Sequence, residues 1–479
     1  MRTASRFRGF TAAGRARAEL SFSSRRVGVR SGNALSHPRI RPAGGVGRVS
    51  QPSAKETAPS APKAGRGKII AIVVAVLILV AIAAAAVYYL VQPTPTGIIK
   101  IGFTISKTGT YTVEGTNSLN GILAATAWVN AHGGVTARGT SYQLVLDYVD
   151  DQSQASNVPT LYAQIVTQDN AQFLLAPYSS PLTAPAAPIA DQYGRVMLSH
   201  GGASNTIYQQ GYQNVVGVLS PASMYLRGAI DYIKANHATD NLAFLYASDS
   251  FSSIAGSYAA AYAQSIGLNV VYNQSYPTSV TDLSTQLTAA KNAGADDLLG
   301  GGHFTDGVLV MQQLSGVGWT PKLISLLVAV TEPSFQAQLP GVSNNVTGPS
   351  QWERSVVFTP AIASAAGFEW YGPSGAEFTS LYGNMTSAAT PTYHSAEAAA
   401  AIFVLAHAIQ AANSLNTTQV RAELGSMKLM TFFGKFQVNS AGLQVAHEMI
   451  VDQWQAAALK VVWPTAVAVS PLQYPYTGG

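Results

Sequence analysis

The sequence predicts an α/β protein of two similar lobes, preceded by one transmembrane helix. Three observations carry this expectation. Short β-rich runs alternate with helix-like stretches from Gly97 onward, the runs fall into two series of four, and an unbroken apolar segment, Ile69–Val91, separates them from a basic tail.

In the first series the runs are IIKIGFTI (98–105), YQLVLDYV (142–149), AQFLLAP (171–177) and RVMLSHG (195–201), with helical stretches near 118–131, 156–168 and 181–193. Alternation at this spacing makes βαβ units, hence a parallel sheet with helices on both faces. The second series is LAFLYAS (242–248), LNVVYNQS (268–275), ADDLLGGG (295–302) and KLISLLVAV (322–330), with helices near 221–236, 252–266, 282–293 and 305–315. Four runs per series point to two lobes rather than one large sheet. A Pro-bearing crossing follows, GPSQWERS (348–355), then an Ala-rich helix near 394–412, a second helix at 417–426, and strand character at 432–438 and 448–454.

The segment 69–91 has 23 residues and no charge, enough for the roughly 20 that an α-helix needs to cross the hydrocarbon core. Residues 1–68 hold fifteen Lys or Arg against Glu19 and Glu56, whereas 69–479 carry thirteen basic and twenty-one acidic side chains. Basic residues stay on the cytoplasmic side, so this asymmetry places the folded part outside. A cleaved signal peptide is the alternative for 69–91, since Ala83–Ala86 offers a cleavage site although the run exceeds the usual apolar length. The expected domains are a basic disordered tail (1–68), the anchor or signal segment (69–91), a stiff Pro-bearing tether (92–97) and the folded part (98–479).

Composition excludes several functions. No cysteine is present, which removes disulfides, thiolate catalysis and Cys-based metal sites. The basic residues sit in a tail without apolar periodicity, so the folded part is not expected to bind nucleic acid. The chain lacks H-E-x-x-H, G-x-S-x-G, a phosphate loop and a G-x-G-x-x-G after its first strand. Ser199-His200-Gly201-Gly202 imitates an oxyanion loop without a nucleophile elbow, and Gly300-Gly301-Gly302 reads as a tight strand-to-helix turn. Asp147, Asp150 and Asp151 read as a solvated strand end. No enzyme activity, cofactor or metal is expected.

Several segments together resemble the branched-chain amino acid (leucine/isoleucine/valine-type) periplasmic binding proteins. They are IKIGFTISKTGTYTVEGTNSLNGILAATAWVN (99–130), FLLAPYSSPLTAPAAPIADQYGRVMLSHGGAS (173–204), TDLSTQLTAAKNAGADDLLGGGHFTDGVLVMQQLSGVGW (281–319) and FFGKFQVNSAGLQ (432–444). The resemblance covers about 98–455. It implies two Rossmann-like lobes joined by a three-crossing hinge, with lobe 1 at about 98–217 and 350–447 and lobe 2 at about 218–349 and 448–479. It also implies a small-molecule ligand in the cleft, delivered to the permease subunits of an ABC transporter. A ligand-sensing ectodomain on the same fold is the alternative.

The residues add a physical reason at one place. Ser179-Ser180-Pro181 follows a strand and opens a helix, with Ser180 expected as N-cap and Pro181 at the first helical position. A helix start offers free N–H groups and partial positive charge to a carboxylate, although Ser180 also fits a purely capping role. By the resemblance, the turn Gly201-Gly202-Ala203-Ser204 supplies backbone groups, with Ala203 where the family has a hydroxyl. Phe251 and His303 stand at two pocket-tyrosine positions of the second lobe. Glu114 matches a pocket aromatic of the first loop, with Tyr111 as a substitute, and Trp352 lines either the cleft or the hinge. Counted without gaps from Gly302, the family's amine-binding carboxylate falls on Leu327 inside an apolar run. An anionic or amide-bearing ligand is therefore expected over an ordinary branched-chain amino acid, with Glu114 or a shifted Glu332 as the two ways to restore the missing carboxylate.

Overall fold

The computed structural model describes residues 73–82, 96–387 and 389–477. Its first strand, β1 (Gly97–Ile105), buries Ile99, Ile101, Phe103 and Ile105 completely, as a near-continuous apolar run does when helices cover both faces of a sheet. The chain continues through α1 (Thr112–Ala131), β2 (Val135–Ala137), β3 (Thr140–Asp150), α2 (Val158–Thr167), β4 (Phe173–Leu175), α3 (Ser180–Gln192), β5 (Met197–Ser199), α4 (Asn205–Tyr208) and β6 (Val215–Gly217). These strands form one sheet in the order β2-β3-β1-β4-β5-β6.

A second α/β unit follows, made of α5 (Arg227–Asn236), β7 (Asn241–Ala247), α6 (Ser252–Ser265), β8 (Asn269–Tyr276), α7 (Ser284–Asn292), β9 (Asp297–Gly301), α8 (Phe304–Leu314), β10 (Leu323–Leu326), α9 (Pro333–Gln338) and β11 (Thr347–Ser350). The chain then passes through α10 (Pro360–Ala365), β12 (Glu369–Trp370), α11 (Gly375–Met385), α12 (Tyr393–Ala411), α13 (Thr417–Ser426), β13 (Leu429–Thr431) and β14 (Gly434–Phe436). It ends on β15 (Ile450–Gln455) and β16 (Ala458–Trp463). The second sheet has the order β16-β15-β11-β10-β9-β7-β8, and β12-β13-β14 make a small third one.

The expected two lobes are present, but their sheets are mixed rather than parallel. β2 and β3 pair antiparallel because the turn between them is too short for a crossover. β15 pairs antiparallel with β11 and β16. The run 322–330 is a strand only as far as Leu326, and residues 329–331 form a 3-10 turn instead.

Strand β7 shows how the second core is partitioned. Ala243, Leu245 and Ala247 pack into one apolar cluster and Leu242, Phe244 and Tyr246 into another on the opposite face, as a period of two requires. The first core gathers β1, α1 and α12. Gly121 of α1 lets that helix lie directly on α12, because a Cβ there would run into the Ser395 carbonyl oxygen.

Three stretches of chain pass between the sheets, after β6, after β11 and before β15, and they are bonded to one another. Ser220 N–H donates to Gln351 Oε1 at 3.0 Å and its hydroxyl to the His447 carbonyl at 2.9 Å, while His447 Nε2 lies 2.8 Å from the Gln351 carbonyl.

Of the apolar segment 69–91, residues 73–82 are helical and exposed, and the remainder lies outside the described residues, as do the tail 1–68 and most of the tether. Among the described residues no helix is long and apolar enough to cross a membrane.

Candidate functional site between the lobes

Strand β4 ends at Leu175, and the loop beyond it carries Tyr178 and Ser179 into α3. Ser179, not Ser180, is the N-cap of this helix, which puts Ser180 at its first position and Pro181 at its second. Ser180 therefore has no capping bond to make. Its buried hydroxyl accepts the Ser204 N–H at 2.9 Å and so ties the helix start to the next strand's turn. The Ser180 N–H has no protein acceptor among the described residues.

The turn after β5 is close-fitted. A Cβ at Gly201 would stand 2.8 Å from Tyr178 Cα. Gly202 N–H donates to Ser199 Oγ at 3.1 Å, and its carbonyl accepts the Tyr208 hydroxyl at 3.0 Å. Ser204 Oγ lies 2.9 Å from Thr206 Oγ1. Of this turn, Gly201 and Ala203 reach the cavity, while Gly202 and Ser204 support it from behind.

The cavity is nearly closed, with a volume of about 10 Å³, and is lined by Tyr178, Gly201, Ala203, Leu219, Tyr225, Phe251, His303, Val328, Tyr393, His394 and Glu397. It therefore brings Gly201 and Ala203 together with Phe251 and His303 from the second lobe. Phe251 meets Tyr225 edge-on with centroids 4.9 Å apart. Tyr111 is half-buried behind the wall, its ring 4.7 Å from that of His303. Trp352 is not on the cavity. Its indole N–H donates to the Phe432 carbonyl at 3.1 Å, and its ring packs among Phe378 and Phe432 in the first core.

Polar contacts cross the cleft beside this cavity. Tyr178 Oη lies 2.9 Å from His303 Nδ1, and Glu114 Oε1 accepts the Phe304 N–H at 3.1 Å, at the start of α8. Asn117 of α1 donates to Glu332 Oε2 at 2.7 Å, and His394 Nδ1 lies 2.7 Å from Glu332 Oε1. The apolar run around Leu327 thus leaves the cleft with carboxylates after all: Leu327 is buried in the second lobe's core, and the 3-10 turn at 329–331 delivers Glu332.

Burial and charge act against each other here. Burial opposes charge on His303, but Asp249, 3.6 Å away, together with Glu114 and Asp306 outweighs it and holds the imidazole above its ordinary range. For Asp249 burial again works against the charge, and His303 together with nearby hydrogen bonds brings the carboxyl down to about 2. Burial pushes the Glu114 carboxyl up, partly offset by His303 and His394. Glu397 is pushed well above the carboxylate range by burial and by the nearby Glu332.

Outside the cleft, Asp151 corrects the reading of a solvated strand end. It is fully buried and accepts the Thr104 and Ser106 hydroxyls at 2.8 and 2.6 Å. Among the described residues no group of three or more His, Cys, Asp or Glu is placed to hold a metal ion.

Sequence reasoning missed Tyr178, Tyr225, Tyr393, His394 and Glu397. For the last two a signal existed: polar residues three apart in the first turns of an otherwise Ala-rich helix share one face.

A family model described as periplasmic binding protein matches residues 98–458. The Leu/Ile/Val-binding protein homolog 7 of Brucella melitensis is 23% identical over 391 residues, spanning 79% of this chain and 94% of its own. The branched-chain amino acid transporter substrate-binding protein of Streptococcus pneumoniae, solved with isoleucine, superposes with a TM-score of 0.63 at 19% identity, covering 77% of this chain and all of that one. A solute-binding protein of an ABC transporter from R. palustris, solved with 4-hydroxybenzoate, gives 0.62 at 17% identity, covering 76% and 95%. At such identities the likeness is one of fold.

Proposed function

This chain belongs to the periplasmic binding protein family, and from that premise we propose that it captures a small carboxylate- or amide-bearing, amino-acid-like solute between its lobes and delivers it to an ABC importer. It is a solute-binding protein and not an enzyme. The observation that carries the reading is the cavity itself, which takes walls from both lobes. A ligand held by both walls favours the closed arrangement over an open one, and the three bonded crossings supply the hinge.

In this reading the Ser180 N–H and the Ala203 turn face the polar end of the solute, and Phe251, Tyr225 and His303 enclose its body. Glu114, Tyr111, Ser179, Gly202 and Ser204 position those groups, and Trp352 belongs to the first lobe's core. Residues 69–91 hold the folded part at the outer face of the membrane, with the basic tail inside.

The test is mass spectrometry of small molecules released from the purified protein, paired with protease treatment of intact cells. A single stoichiometric solute and external cleavage of the folded part are the expected results. Protein free of any solute, with the folded part protected, would overturn the proposal.

A further inference from the structure

A groove made entirely by the second lobe has far more room than the cleft. It lies between α8 and the loop that leaves β8, takes Gln338 from the end of α9, and measures about 280 Å³ against about 10 Å³ for the cleft cavity. Small-molecule pockets begin at roughly 300 Å³. The loop wall is tied to α8 itself. Gln313 Oε1 accepts the Leu283 N–H, and its Nε2 donates to the Thr281 carbonyl at 3.2 Å. The Val280 N–H closes a turn on the Pro277 carbonyl at 3.0 Å. The groove is therefore built before anything enters it.

Its lining combines two chemistries. Phe304, Val308 and Leu309 bring carbon from the second lobe's core. Thr278, Thr281, Thr305, Gln312 and Gln338 bring hydroxyls and amides. All five are exposed, and none of these side chains has a protein hydrogen-bond partner among the described residues. No Lys or Arg lines the groove, and its carboxyl, Asp306, already accepts the His303 N–H at 2.9 Å. Burial raises that carboxyl while the nearby His303 draws it down, so an anion meets Asp306 and a cation meets His303. We propose that this groove binds a small neutral polyol, its ring carbons over Phe304, Val308 and Leu309 and its hydroxyls on the Thr and Gln side chains. Those side chains both donate and accept, as a polyol's hydroxyls do. A purely apolar molecule would instead take water from them without replacing its bonds. The groove and the cleft cavity share no lining residue, yet they meet at one turn, because Phe304 also donates its N–H to Glu114 Oε1 across the cleft at 3.1 Å.

This site does not depend on solute capture between the lobes. Titration calorimetry on the full chain, in a detergent without a sugar headgroup, tests it with myo-inositol and glucose. Glucuronate and glucosamine at mildly acidic pH serve as charged counterparts, and cyclohexanol as a ring with a single hydroxyl. One of the two neutral polyols at least should bind at one site per chain, at least tenfold more tightly than any of the three controls. Hydrogen exchange should slow in 278–283 on binding, a segment that takes no part in the cleft cavity. Thr305→Phe fills the groove from an exposed position of α8 and should abolish the binding, and Gln312→Ala should weaken it at least threefold. Failure of both polyols to bind, or a control that binds as tightly, overturns the proposal and leaves cleft capture untouched. So does slowing confined to the 201–204 turn, or unchanged affinity in a folded Thr305→Phe variant. If Thr305→Phe does not fold, the exchange pattern on the unaltered chain decides in the same two directions.

Discussion

Glu332 Oε1 lies 2.7 Å from His394 Nδ1, and the two residues come from opposite lobes. Both side chains are within 1% of complete burial, and Asn117 donates to the other oxygen of Glu332. Removing one partner of a buried hydrogen bond leaves the other unsatisfied, at a cost of roughly 1–3 kcal/mol. Glu332→Gln keeps the shape and should lower the melting temperature and shift the solute-free protein toward an open form. Small-angle scattering should register a larger radius of gyration. An unchanged radius and melting point would mean that this pair does not hold the cleft.

Ser180 gives a second prediction. Its hydroxyl serves the Ser204 N–H and not its own helix, so Ser180→Ala strands a buried amide at about 1–3 kcal/mol. Stability and solute affinity should fall together, because the same bond shapes the turn that carries Ala203. Thermal melts combined with calorimetry test this; lost affinity at unchanged stability would assign Ser180 a direct ligand contact alone.

Gly121→Ala should separate α1 from α12, since the added methyl meets the Ser395 carbonyl. Overpacking of this kind costs about 1–3 kcal/mol. Chemical denaturation should show that loss, and Ala substitutions on the exposed side of α1 should not reproduce it.

His200 sets a pH dependence. Burial, aided by the nearby His394, brings its imidazole down to about 3 from an ordinary 6.5. The folded protein keeps it neutral while the unfolded chain takes up a proton as pH falls through about 6.5. Its contribution is therefore complete above that pH and declines by up to about 1.4 kcal/mol per unit toward pH 3. His200→Leu should flatten the acid limb of stability against pH by about one proton, and parallel limbs in the two proteins would contradict this.

Much of the fold was legible because it rests on periodicity. The alternation that predicts βαβ units needs only side-chain spacing, and the expected helices near 156–168, 181–193 and 417–426 correspond to α2, α3 and α13. The antiparallel edges escaped notice because β2 is three residues long and β15 finds its partner β11 about a hundred residues away, which no local pattern records. In the cleft, Ala203, Phe251 and His303 stand at strand ends, where open α/β sheets collect ligands. The spacing of His394 and Glu397 puts them on one helix face, but that this face meets the cleft emerged only once α12 was packed on α1. The register at Glu332 was hidden by the 3-10 turn, which breaks a gap-free count from Gly302.

The claim that both lobes enclose the solute is tested most directly by filling the cavity. Ala203 lines it from the first lobe and is 2% exposed, and Ala203→Leu places extra side-chain volume in a cavity of only about 10 Å³. Titration calorimetry with the solute released from the purified protein should show one site per chain in the unaltered protein and at least a tenfold loss in Ala203→Leu. Equal affinity in a folded Ala203→Leu variant would place the solute elsewhere and contradict the account.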